Sequence, residues 1–203
     1  MWHLKGNRFL AMDIKTTGDD VDADDIISMS FVPSNFSFKP KEGKLPLSLL
    51  IQPEGYTKES YKGMRLGMRL DDFLKQSSPY AIAFDNVLSY LDSLAIGSDK
   101  YGNNSKFVLI GHGLDKKIPF IRQFFQGFFD DYFHRDVRDV KTIAVYYNDV
   151  YGYREEIVPF CKITPTYLAN LMKIDRVSQA GGLHRTALIL QEYEYLVRHC
   201  KLL

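Results

Sequence analysis

The sequence is poor in cysteine and has no long apolar run. Only Cys161 and Cys200 occur among its 203 residues, too few for a disulfide framework and without a zinc-ligand spacing. No stretch reaches the roughly 18 consecutive apolar residues that a membrane helix needs. The first residues also lack the apolar segment of a signal peptide. We therefore expect a cytoplasmic protein that is not associated with a membrane.

An excess of charge of either sign is also missing. The chain has 26 Lys and Arg against 25 Asp and Glu, a formal net charge of +1. Such a balance gives no overall field that attracts nucleic acid, so any basic binding surface has to be local. Hydrophobic residues make up 45% of the chain, enough for a sizeable core, and no linker-like segment divides it. We predict a single domain over residues 1–203.

Five short segments have the pattern of β-strands, and helical segments separate the later ones. The first is a continuous apolar run that ends in a carboxylate, which is typical of a buried central strand. The next two follow across short, turn-rich links, which favours an antiparallel arrangement. The five predicted strands are 8–14, 26–32, 45–52, 107–110 and 137–140. The predicted helices are 80–94, a segment after Gly113, one from about residue 142, 164–172 and 184–197. This order predicts a mixed α/β sheet.

Two other segments allow a functional interpretation beside an ordinary structural one. Residues 63–70 repeat the tetrapeptide Gly-Met-Arg-Leu, which suits a basic loop facing nucleic acid or a plain helix or loop with exposed arginines. The acidic run 19–25 superficially resembles a calcium-binding loop. It lacks the glycine at the sixth position and the glutamate at the twelfth, so we predict a solvated turn.

Three stretches, in matching order and spacing, carry a family resemblance. They are FLAMDIKTTG at 9–18, VLIGHG at 108–113 continuing to Ile121, and a third that joins 168–174 to GLHRTA at 182–187. Together they resemble the three motifs of the DnaQ-like (DEDDh-type) 3′–5′ exonucleases. The resemblance implies a ribonuclease-H-like fold, an α/β domain whose mixed five-stranded sheet has three antiparallel strands plus parallel ones and is flanked by helices.

The resemblance also implies a particular active site, and this sequence departs from it. Family members are expected to hold two divalent cations with four carboxylates, while a histidine acts as general base. Asp13 and His184 match the first carboxylate and the histidine. Lys15, Lys117 and Ile189 stand where the other three carboxylates are expected. The resemblance therefore implies a degenerate site, with no catalytic residue, bound metal or cofactor.

Charge repulsion supports the expectation that no divalent cation binds at this site. Two unit charges about 4 Å apart interact by roughly 4 kcal/mol at an effective dielectric constant near 20, so two ammonium groups strongly disfavour a divalent cation. The same groups hold phosphate well. We therefore predict that Lys15, Lys117 and His184 bind nucleic acid without cleaving it.

Two alternatives remain open on the sequence alone. An active exonuclease, dependent on Mg²⁺ or Mn²⁺, would use relocated carboxylates such as Asp13, Asp115 and Glu192. In the simpler interpretation Asp115 caps the helix that follows it, and Glu192 and Glu194 are solvated surface residues. The second alternative is a pure protein-interaction adaptor, with the same fold and no nucleic acid.

The expected partners are thus a single-stranded nucleic acid or a protein, including a second copy of this chain in a homodimer. Aromatic side chains suit both, because they stack on bases and fill protein interfaces. The candidates for stacking are Tyr146, Tyr147, Tyr151 and Tyr153, and those for a protein surface are Phe128, Phe129, Tyr132 and Phe133.

Overall fold

A six-stranded mixed sheet flanked by helices forms the centre of the fold. The computed structural model describes residues 8–54, 68–95, 106–155, 158–174 and 182–199. The strands are β1 (Arg8–Thr16), β2 (Ile26–Ser34), β3 (Leu47–Gln52), β4 (Ser78–Pro79), β5 (Phe107–Gly111) and β6 (Arg138–Asp139).

The helices lie between and after the strands. They are α1 (Leu70–Gln76), α2 (Tyr80–Ala95), α3 (Leu114–Phe125), α4 (Phe129–Tyr132), α5 (Val140–Glu155), α6 (Pro165–Leu171) and α7 (Gly182–His199). A short 3-10 turn, Gln126–Phe128, joins α3 to α4. In the ranges that the structure describes, no helix combines the length and apolar character that crossing a membrane requires.

The strand order is β4-β3-β2-β1-β5-β6, with β1 near the middle. β1, β2 and β3 pair antiparallel, as their short links predict. β5 pairs parallel with β1, and β6 with β5, because each of these strands is reached through a helical crossover. The predicted combination of antiparallel and parallel strands is confirmed.

The predicted number of five strands is wrong, because β4 is a sixth. Its two residues, Ser78 and Pro79, pair with Ile51 and Gln52 at the end of β3. A strand of two residues has no alternating pattern that a sequence could reveal. At the sheet edge, the missing N–H of Pro79 leaves no ladder position unfilled.

Alternation along β1 divides its side chains between two cores. Leu10 and Met12 pack with α2 and α3 on one face of the sheet. Phe9 and Ala11 pack on the other face, where the cluster includes residues of α5, α6 and α7. Because successive side chains of a strand point to opposite faces, Asp13 lies on the side of α7.

The acidic segment after β1 is a hydrogen-bonded turn. The Asp24 carboxylate accepts from the Thr17 hydroxyl at 2.7 Å and from the Asp20 backbone N–H at 2.9 Å. A side chain at Gly18 would meet that carboxylate, only 2.4 Å from an added Cβ. Of the repeat at 63–70, residues 63–67 lie outside the described part of the chain, and Arg69 is exposed directly before α1.

Candidate functional site

The site lies where β1 and β5 end, facing the first turns of α3 and α7. Asp13 is its central group, with only 3% of its surface exposed. Its Oδ1 accepts from the Lys117 ammonium at 2.5 Å, and its Oδ2 lies 3.2 Å from the Arg185 Nε. Both carboxylate oxygens are therefore occupied by cations that two different helices supply.

The position of α7 relative to the sheet depends on a close approach at its first residue. A Cβ added to Gly182 would lie 3.1 Å from the Ser30 Oγ and 3.3 Å from the Ser48 Oγ. One turn later, the Thr186 hydroxyl shares a hydrogen bond of 2.5 Å with that of Ser30. These contacts fix the helix start against β2 and β3, and so bring Arg185 to Asp13.

The start of α3 is fixed by Asp139 of β6. Its carboxylate accepts from the backbone N–H groups of Gly113 at 3.0 Å and Leu114 at 2.7 Å. Gly113 is the N-cap residue and has a left-handed backbone, φ 66°, which glycine adopts without strain. The prediction that Asp115 caps this helix is wrong, because an acceptor from a neighbouring strand satisfies the N–H groups instead.

The other predicted site residues lie around this ion pair. Lys15 is half-buried on β1, two residues after Asp13 and hence on the same face of the sheet. His184 is half-buried in the first turn of α7, directly before Arg185. Ile189 is fully buried in the apolar cluster beneath α7, so at this position the chain has a core side chain where the resemblance implies a carboxylate.

Glu192, predicted as a solvated surface residue, is instead fully buried. Its Oε2 lies 4.0 Å from the Nδ1 of His112, which is too far for a hydrogen bond. Neither carboxyl oxygen has a hydrogen-bond partner within the described ranges. Burial raises the pKa of Glu192 to about 8, although the Arg185 charge acts in the opposite direction, so the carboxyl group is protonated at neutral pH.

His112, directly after β5, is a buried residue with a structural contact. Its ring Nε2 is 3.1 Å from the backbone oxygen of Ile163, ahead of α6. Burial and the nearby Lys117 ammonium lower the pKa of His112, while Asp139 raises it to a smaller extent. The ring is therefore neutral at pH 7.

The relocated carboxylates do not converge. Asp115 is exposed and pairs with the Lys141 ammonium at 3.2 Å, whereas Glu192 is buried against His112. Asp13, the third carboxylate of the active alternative, is paired with Lys117 and Arg185. Among the residues described, no three His, Cys, Asp or Glu side chains lie close enough together to hold a metal ion.

Arg185 is the functional residue that the motif comparison missed. It lies four residues before Ile189, so helical spacing places both on one face of α7, directed at the sheet. That spacing is enough to place Arg185 near the site from the sequence alone. Asp139 offered none, because its role depends on the tertiary contact between β6 and the start of α3.

The candidate aromatic residues divide between surface and core. Tyr146 and Tyr153 are exposed, at 60% and 92%, whereas Tyr147 is buried and donates to the backbone oxygen of Leu196 at 2.9 Å. Tyr151 stacks on Tyr147. In the second group only Phe128 is largely exposed, while Phe129 and Phe133 are buried and Tyr132 is half-buried.

The fold is similar to that of known exonucleases. Exonuclease I from E. coli, in complex with a dT13 oligonucleotide, matches with a TM-score of 0.66 at 13% identity, over 95% of this chain and 41% of that protein. Exonuclease I from Methylocaldum szegediense matches with a TM-score of 0.64 at 13% identity, over 96% and 41%. Cell-death related nuclease 4 (CRN-4) matches with a TM-score of 0.68 at 12% identity, over 96% and 64%.

These similarities confirm the predicted fold class. The chain spans less than two thirds of the length of each of these structures. No protein-family model matches the sequence, and no curated protein does. At these identities the structures show a shared architecture, and the chemistry of this site has to be argued from its own residues.

The protonated state of Glu192 predicts a pH-dependent effect of Glu192→Gln on stability. Below pH 4.5 the carboxyl group is protonated in both the folded and the unfolded state. Between pH 4.5 and about 8 only the unfolded state releases the proton, so the free energy of unfolding of the native protein falls as pH rises. Glutamine does not ionise, so the free energy of unfolding of Glu192→Gln should rise with pH relative to that of the native protein. The expected slope is about 1.4 kcal/mol per pH unit, up to a total of a few kcal/mol.

Urea unfolding of both proteins at pH 5 and pH 8.5 measures this change. Glu194→Gln is the matched control, because Glu194 lies on the same helix with its side chain 17% exposed and its carboxylate paired to Arg198 at 2.6 Å. A difference between Glu192→Gln and the native protein that stays constant with pH would contradict the assignment.

Proposed function

We propose that this protein is a degenerate member of the DnaQ-like exonuclease family that binds single-stranded nucleic acid and does not cleave it. The observation that carries the proposal is the occupation of both Asp13 oxygens by Lys117 and Arg185. A carboxylate that ligates a divalent cation has to offer its lone pairs to the metal. Here one oxygen already accepts a hydrogen bond from Lys117, and the other is in an ion pair with Arg185.

The donor set around Asp13 does not fit a pair of divalent cations. Mg²⁺ takes oxygen ligands in near-octahedral geometry, and a two-metal site needs several carboxylates. Lys117 and Arg185 instead contact the single carboxylate, Lys15 lies on the same face of β1, and Ile189 belongs to the core. A divalent ion entering this site would have to displace two bound cations and then remain close to their charges.

Nucleic-acid binding is supported by the chemistry of the same side chains. Arginine and lysine are the residues that most often contact phosphate oxygens. The net charge of the whole chain is only +1, so this cluster is a local basic surface on a nearly neutral protein. Exonuclease I, whose fold this chain shares, has been seen with a dT13 oligonucleotide, which makes a single strand the ligand to test first.

A protein partner is the second candidate, and the outer surface of α5 favours it. Tyr146 and Tyr153 are among the most exposed large side chains, and Val158, just after α5, is 59% exposed. Exposed aromatic groups are enriched at interfaces. An exonuclease I structure has also been determined as an ExoI/SSB-Ct complex. Partner binding at this surface is compatible with nucleic-acid binding at Asp13; a homodimer or a pure adaptor would use the same surface.

The single domain and the cytoplasmic location expected from the sequence remain predictions.

The proposal predicts that purified protein releases no nucleotides from end-labelled single-stranded DNA or RNA with Mg²⁺ or Mn²⁺. Asp13 cannot ligate a metal while Lys117 and Arg185 hold it. Gel analysis over a time course measures the release, with Asp13→Ala as the control. Metal-dependent digestion that Asp13→Ala abolishes would establish the active alternative with relocated carboxylates.

Binding should depend on the charge of the cluster. The double variant Lys15→Glu, Lys117→Asp changes the local charge by four units, and we expect affinity for a single strand in EDTA to fall at least about tenfold, equivalent to about 1.4 kcal/mol. Filter binding at fixed salt measures the loss. The matched control, Lys41→Glu with Lys75→Asp, makes the same charge change at two exposed lysines away from the site.

Two outcomes would count against this assignment. Unchanged binding by the double variant, with thermal unfolding showing it folded, would mean that the strand binds elsewhere. If the native protein binds no single strand at all, the adaptor alternative is favoured.

A further inference from the structure

The cluster around Asp13 contains more positive than negative charge. Lys117 and Arg185 both contact its carboxylate, and Lys15 lies on the same face of β1. Two cations therefore contact this one carboxylate and a third lies beside it on the same face of the sheet, so these three side chains carry two more positive charges than Asp13 neutralises. Unneutralised charge in a partly buried position is unfavourable, so the cluster is suited to an anion.

Within the described ranges, no carboxylate other than Asp13 forms an ion pair with Lys15, Lys117 or Arg185. Asp139 accepts from the backbone N–H groups that begin α3, and Asp24 is engaged within the turn after β1. Glu192 is fully buried, and burial raises its pKa to about 8, so it carries little negative charge at pH 7. An anionic ligand therefore does not have to displace these carboxyl groups to reach the cations, although the charge of Asp139 reduces the surplus.

The two contacts to Asp13 orient the cations without using all their donors. Lys117 is 16% exposed, whereas the Arg185 side chain is 44% exposed. In the described part of the chain, Arg185 contacts Asp13 through Nε, which leaves the terminal guanidinium nitrogens for a ligand. An arginine held in this way presents a planar pair of donors that matches two phosphate oxygens.

We propose that Lys15, Lys117 and Arg185 bind the phosphomonoester at the end of a single strand in preference to an internal phosphodiester. A terminal phosphate carries about −1.5 to −2 charges near pH 7, whereas each internal phosphate carries one. The terminal group therefore matches the surplus of two positive charges more closely. This inference rests on the proposed function, because it names the part of the nucleic acid that the same site binds.

The test compares one short single-stranded oligonucleotide in three forms: with a 5′-phosphate, with a 3′-phosphate, and with neither. Fluorescence anisotropy with an internal label gives Kd for each form in EDTA, for the DNA and the RNA version. We expect one phosphorylated form to bind at least about tenfold more tightly than the unphosphorylated form. A free nucleoside monophosphate, added as competitor, distinguishes binding of a strand end from binding of any mononucleotide.

Substitutions then identify the side chain responsible for the preference for a phosphorylated end. Arg185→Gln removes the planar donors and leaves Lys117 on Asp13, and we expect it to abolish the preference for a phosphorylated end. Arg185→Lys keeps the charge without the paired donors, so its preference should be intermediate. Arg135→Gln is the matched control, because Arg135 is 88% exposed and lies outside the site. Thermal unfolding establishes that each variant is folded.

The outcomes separate this inference from the proposed function. Equal and measurable affinity for all three forms would overturn the inference and leave nucleic-acid binding intact. A preference that survives Arg185→Gln would overturn it too, as would a mononucleotide that competes as well as the phosphorylated strand. Failure of every form to bind would overturn both.

Discussion

The interaction on which the site depends is the one between the buried Asp13 carboxylate and two cations from different helices. Lys117 comes from the first turn of α3 and Arg185 from the first turn of α7, and they meet at a central strand. Removing one partner from a buried ion pair costs far more than the pair itself contributes, since the remaining charge is left uncompensated. The arrangement therefore ties the starts of both helices to the central strand.

The fold of this chain is shared with known exonucleases at low sequence identity. The apolar positions of β1, β2 and β5 and the faces of α3 and α7 build a sheet and two cores that resemble exonuclease I and CRN-4, although only 12–13% of residues are identical in the matches with TM-scores of 0.66 to 0.68. A core tolerates exchange among side chains of similar size. A metal site does not tolerate exchange of carboxylate for ammonium, so the proposed change of ligand requires only a few substitutions.

Long apolar runs and helical spacing were sufficient to predict the central strands, the main helices and the mixed sheet. Ser78–Pro79 could not be predicted, because two residues carry no periodicity. Asp139 took the capping role expected of Asp115, since the acceptor comes from a strand distant in sequence. Glu192 was assigned to the surface because it is charged, although its spacing from Ile189 and Leu196 places it on the buried face. Arg185 stands at none of the expected carboxylate positions, so the resemblance to the family assigns it no role.

The central claim is that Asp13 pairs with Lys117 and Arg185 and does not ligate a metal. Titrating the protein with Mn²⁺ and counting bound ions by electron paramagnetic resonance tests this claim most directly. Native protein and Asp13→Asn should give the same titration curve, because Asp13 contributes no metal site. A saturable Mn²⁺ site in the native protein that disappears in a folded Asp13→Asn variant would contradict the account.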